Sequence, residues 1–310
     1  MAVAFVGEVT LRASLRSDPL TVVAELQPPD GTDLAPLIAA AERLRPYVDT
    51  IQLTDMPRAT PHMDNLAATA VLRQRDLDVM VTMTCRDRNV VAQQARLIGA
   101  AALGASSVFC ITGDPVALGD HPQAREVFEL TSSTWLACAR QMREQGTYLS
   151  GRAASPPPNV LVGAALGPHG PKEPIQDACQ KAEAGAEFFM TQPVFDCDQL
   201  AQLLNTLAVH GVVPRCPIVA GIAAPASYAA ARWLDEFPGI RVPDTFLERL
   251  RTASSEEQPR IGLELARELT EGFEQLPAVR GVLVYPVGPD TGWLQRVVEA
   301  VAGQAGRVAA

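Results

Sequence analysis

The chain has 310 residues, 47% hydrophobic but only 5% aromatic, enough for one large core or two ordinary ones packed mainly by Ala and Val. A formal net charge of −9 argues against a broad basic surface for nucleic acid. No leader pattern and no run of about 18 apolar residues occurs, so a cytoplasmic protein away from membranes is expected. The six cysteines (85, 110, 138, 179, 197 and 216) lack C-x-x-C spacing and several lie in apolar runs, as buried reduced thiols do.

Residues 1–20 read as a flank before the first β-branched run at 22–26, which ends Glu25-Leu26-Gln27-Pro28-Pro29 and precedes a helical pattern at 33–44. A second strand at 50–53 surfaces at Thr54-Asp55, and a helix follows at 63–75. The third, 79–84, runs into Cys85-Arg86-Asp87-Arg88-Asn89 and a helix at 90–103. The fourth, 108–112, stops on Gly113-Asp114-Pro115, which neither a helix nor a central strand can continue. A helix at 133–143 and a proline-rich loop at 146–159 come next. The fifth strand, 160–165, leads into Gly167-Pro168-His169 and a helix at 173–184. The sixth, 188–191, ends at Thr191-Gln192 before a helix at 199–209. The seventh, 218–222, precedes a helix at 227–236 and a helical insertion at 238–275. The eighth, 282–285, ends at Tyr285 and is followed by a helix at 292–302. Strands separated by helices imply right-handed parallel crossovers. Eight such units predict a (β/α)8 TIM barrel forming a single domain over 1–310, in preference to an open sheet.

Barrel chemistry sits at the C-terminal strand ends. One strand-end carboxylate is often structural, paired to an arginine or capping a helix. Glu25 and Asp114 together, with the amide of Gln192, are harder to explain as solvated surface. A metal centre is not expected, because the four histidines (62, 121, 169 and 210) are scattered without ligand spacing. Only Lys172 and Lys181 stand against 24 arginines, and neither falls on a strand, which disfavours a Schiff base. Nucleophile-elbow, Walker and dinucleotide glycine motifs are also missing after the strands.

The stretches "AELQPPDGTDL", "TCRDRNVVAQQARLIGAAALG", "ITGDPVALGDHP", "KAEAGAEFFMTQPVFD", "PIVAGI" and "SYAAARWLDEFPGIRVP" together resemble the methylenetetrahydrofolate reductase family, in family order. They look most like the reductase half of bifunctional homocysteine methyltransferase–reductase proteins. The resemblance implies FAD at the barrel mouth, reduced by NAD(P)H, and hydride transfer that converts 5,10-methylenetetrahydrofolate to 5-methyltetrahydrofolate. It makes Glu25 the acid that protonates substrate N10, and Asp114 the carboxylate beside flavin and pterin. Gly113 is implied to let backbone approach the flavin, and Gln192 and Tyr285 to meet the substrate. Thr54, His169 and Lys181 match positions touching ribityl, ribose or phosphate groups, and Asp177 an adenosine-side position that could equally pair with Lys181. Thr82 and Thr112 stand on the cofactor side where relatives often carry histidine and arginine, while Ala165 and Ala230 replace a family tyrosine and glutamine. Arg86-Asp87-Arg88 could offset the lost positive charge or form structural ion pairs. A flavin-free or partner-linked reductase and a non-catalytic folate-binding protein remain the alternatives. Family members commonly self-associate, so a homo-oligomer is expected.

Overall fold

The computed structural model describes residues 10–306 apart from 18, 168–173, 214, 238 and 289. Eight parallel strands close into a barrel in chain order, with β8 paired back onto β1. They are β1 Thr21–Leu26, β2 Thr50–Leu53, β3 Val79–Thr84, β4 Ser107–Ile111, β5 Leu161–Leu166, β6 Phe188–Pro193, β7 Ile218–Ile222 and β8 Val279–Val284. The helices are α1 Thr10–Ser14, α2 Ala35–Leu44, α3 Asn65–Arg73, α4 Val90–Ala102, α5 Ser132–Arg140, α6 Pro174–Ala184, α7 Cys197–Val209, α8 Tyr228–Asp235, α9 Asp244–Thr252, α10 Gln258–Glu274 and α11 Thr291–Gln304. This is the predicted (β/α)8 architecture.

Polar residues at the strand-to-helix turns start the helices by accepting from otherwise orphaned backbone N–H groups. Asp64, Asn89, Asp196, Ser227 and Asp290 do so for α3, α4, α7, α8 and α11. Thr131 and Thr134 form a reciprocal capping box on α5. Each helix then buries one stripe, such as Leu37, Ala40, Ala41 and Leu44 of α2, against the outside of the sheet.

A second, smaller core fills the barrel, where Val23, Met80, Phe109, Phe188, Val219 and Leu283 meet. Its N-terminal end is plugged by Leu11 of α1 and Leu15 just after it, both buried in the same cluster. The expected flank at 1–20 thus contains a helix that contributes to the core.

Two boundaries bear on function. Strand β4 ends at Ile111 and β8 at Val284, so Thr112 and Tyr285 lie just beyond their strands. The expected seventh helix is α8, but α10, from within 238–275, packs against β7, β8, α7 and α11, whereas α8 packs on α9. Length explains this: the 17 residues of α10 span about 26 Å, the 8 residues of α8 about half that. The pair α8–α9 is therefore an excursion between β7 and its barrel helix.

Candidate active site

Side chains alternate along a strand, so residues two beyond an inward-facing one point inward nearer the C-terminal mouth. Val23 and Leu283 belong to the inner core, which turns Glu25 and Tyr285 into the barrel interior. Met190 likewise directs Gln192 inward from β6. The β1–β2 register sets Glu25 directly beside Gln52, whose Nε2 donates to Thr82 Oγ1 at 3.2 Å. Thr54, two residues on from Gln52, continues this inward row.

Glu25 keeps partial solvent contact, yet the packed walls around it push its pKa from 4.5 up to about 7. Desolvation is the cause, and no cation among the described residues compensates the charge. Burial, and secondarily the Glu25 charge, raises the Tyr285 phenol well above its ordinary value. The Tyr285 hydroxyl donates to the Thr191 carbonyl at 2.8 Å. Its ring lies over Gly221, where an added Cβ would come within 2.8 Å of Cε2.

The end of β6 is irregular, with a register shift against β7 between Met190 and Pro193. Thr191 Oγ1 donates to the Gln192 carbonyl at 2.7 Å and accepts from Gly221 N–H at 2.8 Å. Gln192 Oε1 and Thr54 Oγ1 are both buried without a hydrogen-bond partner. A buried acceptor and a buried hydroxyl left unsatisfied at the same mouth as an acid of raised pKa are what a polar ligand would complete.

The carboxylate of Asp114 stands exposed on the turn after β4 and accepts from Arg58 N–H at 3.2 Å. Gly113 has φ +91°, and an added Cβ would meet Thr84 and Arg86 side chains at 3.0–3.1 Å. Close packing on the end of β3 therefore already requires glycine there. Thr112 is exposed, and its carbonyl accepts from Cys85 N–H at 3.1 Å.

The Arg86-Asp87-Arg88 alternatives are resolved by geometry as internal pairing. Arg86 is buried, chelates Asp87 with two bonds of 2.8 Å, and donates to the carbonyls of Met56 and Asp114. Arg88 grips the buried Asp55 at 2.7 and 3.1 Å. Lys181 is buried, pairs with Asp177 at 2.5 Å and donates to the Ala165 carbonyl at the end of β5. The equal alternative for Asp177, a pair with Lys181, is thus the geometry present. His169 lies outside the described residues.

Glu25, Thr54, Gln192 and Tyr285 therefore gather at the inner mouth, Gly113 and Asp114 stand on its rim, and Thr82 is engaged deeper in the barrel. Gln52 and Thr191 were not singled out from sequence; the available signal was a polar amide inside the apolar strand "TIQL". All six cysteines are free, and burial pushes Cys85 up to about 12 and Cys138 to about 11, which makes them packing residues. Among the described residues, no group of three His, Cys, Asp or Glu side chains is placed to hold a metal.

Over the mouth, Arg58 lies 5.7 Å from the Phe237 ring centroid, and Phe237 meets Trp233 edge-to-face at 4.6 Å. The excursion α8–α9 thereby contacts the loop after β2. The unsatisfied Thr54 and Gln192 atoms lie at this inner mouth, where Ile111 and Ala165 pack against the inner core.

The sequence matches the family described as methylenetetrahydrofolate reductase over residues 10–282. A curated relative, methylenetetrahydrofolate reductase 2 of Schizosaccharomyces pombe, is 27% identical over 191 residues, 59% of this chain but only 29% of the relative. The chain thus matches less than a third of that relative's length. Among solved structures, an uncharacterized Clostridium thermocellum protein that binds two copies of 5-methyl-5,6,7,8-tetrahydrofolic acid aligns with TM-score 0.66 at 11% identity, covering 96% of this chain and 99% of that one. An F420-dependent secondary alcohol dehydrogenase aligns with TM-score 0.61 at 14% identity, over 92% and 99% of the two chains. At such identities these two establish the fold alone. With its family match covering most of the barrel, the chain belongs to the methylenetetrahydrofolate reductase family.

Proposed function

We propose that this protein reduces 5,10-methylenetetrahydrofolate to 5-methyltetrahydrofolate. The observation that carries the reading is Glu25, a carboxyl at the barrel mouth with its pKa raised to about 7 in a chain of this family. The substrate's five-membered ring must open before its methylene carbon can accept hydride, and opening requires a proton on N10. An ordinary carboxyl is ionised at neutral pH, whereas a substantial fraction of Glu25 keeps its proton there and can donate it. Breaking the N10–methylene bond then leaves an iminium on the substrate, ready for reduction. Gln192 offers both donor and acceptor to the pterin edge, and Tyr285 walls the pocket behind Glu25.

FAD, reduced by NAD(P)H, would supply the hydride, held by Thr54, Gly113 and Asp114 around its ring. A second reading, direct reduction by nicotinamide without flavin, is favoured by one observation. Lys181 and Thr82, expected on the cofactor side, are already engaged by Asp177, the Ala165 carbonyl and Gln52.

The absorbance spectrum of the purified protein, with NAD(P)H oxidation followed in the presence of methylenetetrahydrofolate with and without added FAD, separates these readings. A flavin spectrum or FAD-dependent turnover supports the first. Turnover by colourless protein indifferent to FAD supports the second, and absence of turnover in every condition overturns both. In Glu25→Gln, folate reduction should fall by about 10²–10⁴-fold, with NAD(P)H–menadione oxidation retained if flavin is used. Equal loss of both activities would make Glu25 structural.

A further inference from the structure

A cavity of about 550 Å³ opens at the N-terminal end of the barrel, opposite Glu25, within the usual range of small-molecule sites. Four arginines converge on it: Arg12 from α1, Arg16 from the turn after α1, Arg215 ahead of β7, and Arg280 from β8. Among the described residues its only carboxylate, Glu187, is already consumed. It pairs with Arg12 at 2.7 Å and with Arg143, and accepts from Val162 N–H at 3.0 Å. Arg280 is fixed in place by donating to the Ser17 carbonyl at 3.0 Å and the Leu15 carbonyl at 3.4 Å. The side chains of Arg16 and Arg215 make no hydrogen bond or ion pair with any described residue. The rest of the wall is apolar, including Leu15, Leu161, Val213, Pro217 and Pro277.

Holding the unpaired Arg16 and Arg215 charges in one concavity with two further arginines is unfavourable by itself, and here it occurs on a chain whose net charge is −9. Arg12 and Arg280 help to hold α1 and its turn in place, but Arg16 and Arg215 are exposed and add nothing to the packing, because Leu11 and Leu15 already close the barrel end. Cys216 also lines the cavity, but burial pushes its thiol up to about 11, so thiolate chemistry is not the use of the site.

We propose that this cavity binds a small organic polyanion, with two or more phosphate or carboxylate groups facing the arginines and a compact body against the apolar wall. Arginine forks suit both kinds of anionic group. The position, a barrel height away from Glu25, makes the ligand an effector rather than a reactant. The inference stands on the cavity alone and does not depend on the folate reading.

Isothermal titration of the full chain at low salt with ATP, citrate, inorganic pyrophosphate and inorganic phosphate tests it. Expected is one site per chain for ATP or citrate with Kd well below about 1 mM, tighter than for either inorganic anion, and weakened by added salt. The double substitution Arg16→Gln/Arg215→Gln, at two exposed side chains without partners among the described residues, should lower affinity at least tenfold while leaving the ligand-free melting temperature unchanged. Nucleotide preference over citrate would identify phosphate chemistry, and the reverse carboxylate chemistry. No binding by any probe, unchanged affinity in the double variant, or displacement of the anion by tetrahydrofolate would overturn the proposal. Pyrophosphate binding as tightly as the organic anions would overturn the role of the apolar wall.

Discussion

At the scale of single residues, Glu25 shows how much a strand-end carboxylate depends on its surroundings. In the unfolded chain it titrates near 4.5, in the folded protein near 7, so folding increases its proton affinity. Its contribution to stability is fully present below about pH 4.5 and is lost as pH rises through 7. Urea denaturation should therefore show Glu25→Gln gaining on the parent protein between pH 5 and pH 8, by about 1–3 kcal/mol. The same titration predicts that the rate of folate reduction falls as pH rises above about 7, because the active form of the acid is protonated. A folate rate that is flat from pH 6 to 8.5 would remove Glu25 from the proton-transfer role. The residue itself was legible in sequence as a carboxylate at a predicted strand end. Its partner Gln52 was not, since inward direction follows only from the register that sets it beside Glu25.

At the scale of elements, strand pairing and glycine placement decide the shape of the mouth. Gly163 of β5 faces Phe188 of β6 inside the barrel, and an added Cβ would fall within the van der Waals envelope of that ring. Gly163→Ala should destabilise the fold by about 1–3 kcal/mol or more by overpacking, measured by urea denaturation. An unchanged denaturation midpoint would mean that the Phe188 ring can swing aside. The β6 bulge had no sequence signal beyond Pro193, because a register shift is a property of two strands. The exchange between α8 and α10 has a similar origin. Both carry helical periodicity, and only packing against β7 and β8 distinguishes the barrel helix from the excursion. Thr112 likewise changed from strand end to exposed turn, because β4 stops pairing at Ile111.

For the whole molecule, the barrel has two ends with different chemistry: a carboxylate and amide mouth at one, an arginine-lined cavity at the other. Between them lies the inner core, closed by Leu11 and Leu15. Leu11→Ala should cost about 2–5 kcal/mol, since Leu11 is fully buried and its loss leaves a cavity under the sheet. If its melting temperature matches the parent, the N-terminal plug is dispensable. Chain-local information was sufficient for the barrel: β-branched runs alternating with helical periods, and turn residues at each strand end. Those features act over a few residues and are written directly in the order of side chains. The proton affinity of Glu25, the unsatisfied Thr54 and Gln192 atoms, the internal use of Arg86, Arg88 and Lys181, and the arginine cavity were decided only in three dimensions. Each is a sum over residues distant in sequence, because desolvation and ion pairing depend on which strands the closed sheet brings together.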